Sequence, residues 1–479
     1  MPPFPIAPSP RRARRALAAA ATAAAALLAA GAGCTDFNAP ELTANPNKPS
    51  RATANQLLTG VTSFASAGLT ADFNRAISIW TQQMAGTGRQ WINIDAPYAI
   101  DENTLGGFDT FYTGGGLVDL RALQEQVRAA DNDQVYLGVA QVWEALVIGY
   151  VADWWGDVPY REAVTPSVRT PRLDPQQQVY ADLQLKLDSA IANLAGAGAG
   201  PGSFDLMYNG DKAKWTRLAH TLKARLYLHT AEKVPAAYAQ ALTEANQGIA
   251  DATGGGDFRT YQSATVGEEN QWFQFERGRG TDVSAAAYIV NLMRTRNAGA
   301  ADPRLAQYFS RAGNGTFTGA GPGEEGETFS WLSATRGDPG FRQPLVTWAE
   351  NQLIKAEALA QAGDLAGAAR ELNAERQQAG LPPVPGGLTQ ARLYQQVMEE
   401  KYVALFQNAE VWSDYKRTCW PNLPAPNGAR SIPARLVYGA NERGTNPNIP
   451  SPNSAPRRNW NDPANATALD GSACAGQRS

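Results

Sequence analysis

The sequence predicts a mostly α-helical protein, a tetratricopeptide-like scaffold of stacked helix pairs with a loop-rich region packed on it. Three observations lead there. Several segments carry apolar residues three or four apart, the spacing that places them on one helix face. One pair of such segments is joined by a glycine stop and an aspartate cap. Between the helical segments lie Gly-, Pro- and Asn-rich stretches too long to be simple connections. The 479 residues exceed the roughly 250–300 at which one core stops growing, so several domains or a repeat-built scaffold are expected. With 43% hydrophobic residues, 12 Trp, 16 Tyr and 15 Phe, core material is ample.

The helices are expected at Ala54 to Ala67, Phe73 to Met84, Gln134 to Asp153, Gln176 to Ala195 and Lys212 to Ala231. In the fourth, Val179, Leu183, Leu187, Ile191 and Leu194 form one stripe, and Asp174 before Pro175 reads as its N-cap with proline at the first helical position. Trp348 to Gln361 and Leu365 to Gln378 flank Ala362-Gly363-Asp364 and look like one tetratricopeptide unit, with Ala356, Ala358 and Ala360 as small packing residues. Such a pair cannot bury its apolar face alone, so stacking is the sensible architecture. Gly106 to Gly116, Gly196 to Asn209, Gly254 to Gly267, Gly313 to Gly340 and Pro421 to Pro452 are read as loops.

The N-terminus is different material. Arg11, Arg12, Arg14 and Arg15 precede an Ala/Leu run from Ala16 to Ala30, the charged and apolar parts of a signal peptide, too short for a comfortable span of about 20 residues. Gly31, Ala32 and Gly33 lead into Cys34, where a lipoprotein signal peptidase would leave a diacylated cysteine as the mature N-terminus; cleavage by the ordinary peptidase is the alternative. The expected organisation is a signal peptide over 1–33, a lipidated tether over 34–50, a body over 51–452 and a polar, poorly ordered tail over 453–479. With Cys34 assigned to lipid, Cys419 and Cys474 remain, and an oxidising envelope compartment permits, without requiring, their disulfide.

A net charge of −3, from 42 basic and 45 acidic residues, with no basic run in the mature part, argues against nucleic acid as a partner. His220 and His229 lie nine residues apart on one helix, a rotation of about 180° at 3.6 residues per turn, so they do not share an ion. No metal or other cofactor is called for. Neither a G-x-S-x-G elbow nor a phosphate-cradling glycine loop occurs. Asp153, Asp157 and Glu162 are the only tight aromatic-flanked acids that a glycosidase would need.

The first two belong to Ala152-Asp153-Trp154-Trp155-Gly156-Asp157-Val158-Pro159-Tyr160, which reads as a packed aromatic cap on a helix end. The run resembles the Asp-x-Trp-Gly-Asp-x-Pro-Tyr segment of the SusD/RagB family. Further resemblances follow in family order: Thr170 to Gln176 with Val179 to Leu183, Asp205 to Trp215, Glu399 to Phe406, Val411 to Thr418, and Ile432 to Tyr438. Together they cover roughly Asn45 to Pro452. The resemblance implies a right-handed tetratricopeptide-like scaffold and a non-catalytic outer-membrane lipoprotein on the cell surface. It implies capture of an oligosaccharide and delivery to a SusC-like TonB-dependent transporter. A peptide or other non-sugar nutrient, or a purely structural role in the transporter complex, are the alternatives. It also assigns the Asp153 to Tyr160 corner, the Asp302-Pro303-Arg304-Leu305 segment and the Trp412, Asp414, Arg417 group to structure.

Sugars offer flat C–H faces and many hydroxyls, so a site needs exposed aromatic platforms beside amide, carboxylate and guanidinium groups. Two regions, read as largely non-helical, supply both, and the resemblance places ligand aromatics in about these positions. The first holds Trp80, Arg89, Trp91, Asn93, Asp95 and Tyr98. The second holds Trp272, Phe273 and Arg277. Trp91 and Trp272 are the expected stacking platforms, converging on one cleft.

Overall fold

The computed structural model describes residues 52–462 apart from 97, 106, 131, 298, 424–431 and 457. The signal peptide, the tether with Cys34, and Cys474 lie outside the described residues. The chain divides into Met1–Thr53 and Ala54–Ser479, and the elements below belong to the second unit.

Helices dominate. In chain order they are α1 (Ala54–Gly68), α2 (Asp72–Trp80), α3 (Gln90–Asp95), α4 (Leu117–Ala129), α5 (Gln134–Trp155), α6 (Gln176–Leu194), α7 (Lys212–Thr230) and α8 (Ala237–Ala245). Then come α9 (Gln271–Arg279), α10 (Ala287–Thr295), α11 (Arg304–Tyr308), α12 (Trp348–Gln361), α13 (Leu365–Gln378), α14 (Gln390–Ala404), α15 (Glu410–Thr418) and α16 (Ala440–Thr445). Four short strands form two antiparallel pairs, β1 (Met84–Gly86) with β3 (Val283–Ala285) and β2 (Phe258–Arg259) with β4 (Pro344–Val346).

The scaffold is a run of neighbours: α1 packs on α4, α4 on α5, α5 on α6, α6 on α7, α7 on α8, α8 on α12, and α12 on both α13 and α14. Each helix has one face that only its neighbour can cover, which is why the pairs stack rather than stand alone. The predicted unit is α12–α13, where Leu353, Ala356, Ala360, Ala368 and Leu372 are buried together with Val397 of α14. Helix α5 is apolar all round and long enough to cross a membrane by composition alone, but it is wholly buried inside the protein. It is a core helix.

The resembling motifs are where the helices are fastened. Gly156 ends α5 at φ +81°, beyond the reach of most side chains, and a Cβ there would meet Asn459 Oδ1 at 2.7 Å. Trp154 and Trp155 are buried against Phe73 and Phe111. The backbone around them is gripped from the C-terminal segment: Leu436 N–H donates to Trp154 O at 2.7 Å, and the Trp155 indole to Val437 O at 3.0 Å. Asp205 accepts from the N–H groups of Met207, Tyr208 and Gly210 and from the Trp215 indole, tying the loop before α7 to that helix. Glu400 faces Arg296, Arg304 and Arg376, while Asp414 and Glu357 face Lys401 and Arg417. These buried ions are all paired, as the cost of burying a lone charge demands.

Four expectations need correction. Helix α2 stops at Trp80 rather than continuing to Met84, because Gln82 turns to φ +54° and Gln83 leaves the helix to bond Tyr402 O and Gln407 N–H. Asp174 does not cap α6. Its carboxylate accepts from Tyr160 and Arg161 N–H, and Asp157 accepts from Gln176 N–H instead. The segments read as non-helical contain α3 and α9, and α16 lies inside the expected loop Pro421 to Pro452. The start of the tail is held, not loose: Asn459 and Asn461 are buried, and Asn459 donates to Asp153 O at 2.7 Å. Cys419, buried at the end of α15, is disulfide-bonded.

Candidate functional site

The two regions singled out in the sequence do meet. Strand β1 pairs with β3 in the register Met84↔Ala285 and Gly86↔Val283. Beyond the ladder, Thr87 and Gly88 N–H both donate to Asp282 O, at 2.8 and 3.0 Å. Gly86 has no alternative here, since a Cβ would stand 2.0 Å from Trp91 O. Arg89, at φ +50°, then reverses the chain into α3 and reaches Asp282 Oδ2 at 3.4 Å.

A third segment joins them. Ala320 N–H donates to Ala285 O and Ala287 N–H to Ala320 O, each at 2.8 Å. Gly326 N–H donates to Thr87 O, and Gly323 N–H donates to Asp95 Oδ2 at 2.6 Å. The expected loop Gly313 to Gly340 therefore lies against both predicted regions. Asp95 is its latch. Burial pushes this carboxyl up to about 7, against the backbone donors Gly323 and Gly86 that favour the ion.

The individual side chains divide into two groups. Trp80, Trp91 and Trp272 are 0%, 3% and 0% exposed, so none of them presents a ring face to a ligand in this structure; the expectation of Trp91 and Trp272 as stacking platforms, and of Trp80 as a ligand contact, is corrected on that ground. The Trp80 indole donates to Ile94 O and packs on Trp412. Trp272 donates to Asn74 Oδ1 at 3.3 Å, turned inward because Asn270 caps α9 at the Trp272 and Phe273 N–H groups. Trp91 meets Phe275 edge-on at 5.4 Å, and its indole nitrogen is buried without a hydrogen-bond partner. The Arg75 guanidinium ties the three together, over Phe275 at 4.5 Å and over Trp91 and Trp272 at 5.8 Å each. Asp95 and Tyr98 are buried as well.

Arg89, Asn93 and Arg277 are exposed, and Phe273 and Phe275 are half-buried. Arg277 bonds Glu269 at 2.8 Å and lies 5.5 Å over the Phe273 ring. The surface thus offers guanidinium and amide donors around partly exposed phenyl rings, with the indoles beneath as its support. Sequence reasoning missed Arg75 and Phe275. Phe275 was visible as the third aromatic of Trp272-Phe273-Gln274-Phe275, but only a helix there shows which rings share a side.

The chain's two histidines are structural by their contacts. His220 Nδ1 lies 2.7 Å from Glu244. His229 has Asp153 at 2.9 Å on Nδ1 and Glu410 at 2.6 Å on Nε2. Asp153, His229 and Glu410 could geometrically surround an ion; here the ring hydrogen-bonds Glu410 through Nε2 and stands between the two carboxylates as their counter-charge. The two carboxylates hold it charged, up to about 10, against the opposing effect of burial.

Comparison with known proteins agrees with the fold. Residues 46–380 match the SusD-like family model described as starch-binding and associating with the outer membrane. A solved chitin-binding protein superposes with a TM-score of 0.71 at 20% identity, over 86% of this chain and 100% of that one. A chitin-binding SusD homolog from Flavobacterium johnsoniae gives 0.69 at 19% identity, over 85% and 97%. A SusD/RagB family protein from Bacteroides thetaiotaomicron gives 0.66 at 22% identity, over 83% and 95%. No curated protein matches.

Proposed function

This chain belongs to the SusD-like family, and from that premise we propose that it is a non-catalytic glycan-binding lipoprotein of the outer membrane. In this reading Cys34 carries the lipid and the body faces the cell surface. It captures an oligosaccharide and delivers it to a partner TonB-dependent transporter. One observation supports the binding part: three segments far apart in sequence, 84–98, 270–286 and 318–330, are hydrogen-bonded together, and Arg89, Asn93 and Arg277 are exposed on them with Phe273 half-buried. Solved relatives of the same fold are described as chitin-binding. The non-catalytic part draws support from how the singled-out acids are used. Asp153 holds His229, Asp157 caps α6 and Glu162 pairs with Arg172, so none stands opposite another across an open cleft.

The test is a glycan and peptide array probed with the body lacking residues up to Cys34, followed by calorimetry on the best neutral oligosaccharide. Asn93→Ala combined with Arg277→Ala should weaken binding by about tenfold or more, the effect of losing two hydrogen-bonding partners, with the fold retained and only the modest loss of melting temperature that breaking the Arg277–Glu269 pair brings. Binding equal to the parent would remove the face from consideration, and peptide hits without glycan hits would replace the ligand class.

A further inference from the structure

Beside the corner that follows α5 lies a cavity of about 210 Å³ that shares no residue with the loop face. Its floor is aromatic. Tyr112 is half-buried and lines the cavity, with its hydroxyl fully buried and without a hydrogen-bond partner, and Phe108 packs on its ring at 5.2 Å. Pro159, Val164, Pro171 and Ile449 supply apolar walls, and Asp109, Arg169 and Glu442 stand among the polar groups at the margin.

The walls are set in advance. Val164 sits at φ +51°, a conformation a β-branched residue avoids unless its surroundings impose it. They do: Arg121 of α4 donates to Ala163 O, just before it, and to Tyr160 O at 2.6 Å. On the opposite side Asn446 donates to Pro171 O at 2.8 Å and Asn448 to Thr170 O at 2.9 Å, fastening the C-terminal wall to the 170–171 wall. A preformed cavity loses little freedom on binding.

We infer that this cavity is a second binding site, taking one neutral pyranose ring of a glycan with its C–H face on Tyr112 and its hydroxyls at the Asp109, Arg169 and Glu442 margin. An aromatic floor with a planar polar rim matches the two faces of a sugar. Carboxylate and guanidinium both stand at the rim, so it offers a sugar's hydroxyls acceptors as well as donors. The ligand class rests on the glycan reading above; the location does not.

The experiment is methyl-labelled NMR of the body, titrated with the N-acetylglucosamine hexamer and with maltohexaose. Val164 and Ile449 methyls report the cavity and Ile92 reports the loop face. The inference expects saturable shifts at Val164 and Ile449 with at least one series, weakened about tenfold by Arg169→Ala while the Ile92 response is unchanged. Arg169 is exposed, so its removal leaves the fold intact, and Tyr112→Phe serves as a control that keeps the ring. Shifts at Ile92 alone overturn the cavity and leave the loop face standing. No shift at either place overturns both, and cavity shifts indifferent to Arg169→Ala overturn the proposed rim.

Discussion

Replacing His229 by Gln should expose how much of the scaffold rests on one buried cation. The ring lies between Asp153 of α5 and Glu410 of α15 and so joins helices far apart in the chain. Its folded value of about 10 stands above the ordinary 6.5, so the charged form is the one folding favours. Its contribution is therefore fully present below pH 6.5 and is lost as pH rises toward 10. At about 1.4 kcal/mol per pH unit, that interval amounts to something on the order of 5 kcal/mol. This agrees with the roughly 3–5 kcal/mol expected when one partner of a buried ion pair is removed. Urea unfolding followed by tryptophan fluorescence between pH 7.5 and 9 avoids the range in which Asp95 titrates. Across it the parent should lose about 2 kcal/mol, and His229→Gln should start several kcal/mol lower with a nearly flat profile. A variant as stable as the parent at pH 6, or one that keeps the parent's slope, would refute the reasoning.

Trp272→Ala, like Trp154→Ala, should lower stability by about 3–5 kcal/mol because the ring is fully buried; a calorimetric melt unchanged from the parent, with ligand binding abolished, would return Trp272 to the ligand. Asp95, raised to about 7 from 3.8, stabilises the fold below pH 3.8 and progressively less as pH rises through 7. Asp95→Asn should flatten the stability curve between pH 4 and 7, and an unaltered curve would show that burial does not raise this carboxyl. Cys34→Ala should release the protein into the soluble fraction, since acyl chains would be its only anchor; retention on membranes after a salt wash would count against lipidation.

The long helices were legible because their period is local. The helices α1, α5, α6 and α7 begin where the stripes predict and end within two residues of them, and α12 and α13 match their predicted limits. What failed was decided at a distance. Gln83 leaves α2 for partners more than three hundred residues away. Asp174 gives up a local cap for the Tyr160 corner, and six-residue α3 is too short for any period to show. The same holds for the site. Composition picked out the regions around Trp91 and Trp272 and the family resemblance implied that they converge, but the direction of each indole depends on Asn74, Arg75 and Phe275, whose positions only the tertiary fold provides.

This division has a consequence for where ligand chemistry resides. Three acids of the motifs that make the chain resemble its family are engaged internally: Asp205 by four donors, Glu400 by three arginines, Asp153 by His229 and Tyr180. A side chain so engaged cannot also meet a hydroxyl without leaving a buried partner unsatisfied, at roughly 1–3 kcal/mol for each such group. The motifs thus specify how helices are fastened and are silent about what is bound. In the reading proposed above, recognition falls to residues outside them that still face solvent, Arg89, Asn93 and Arg277 on the loop face and Arg169, with half-buried Tyr112, at the cavity. Substitutions there should change the ligand with little loss of melting temperature, and substitutions in the motifs should do the reverse.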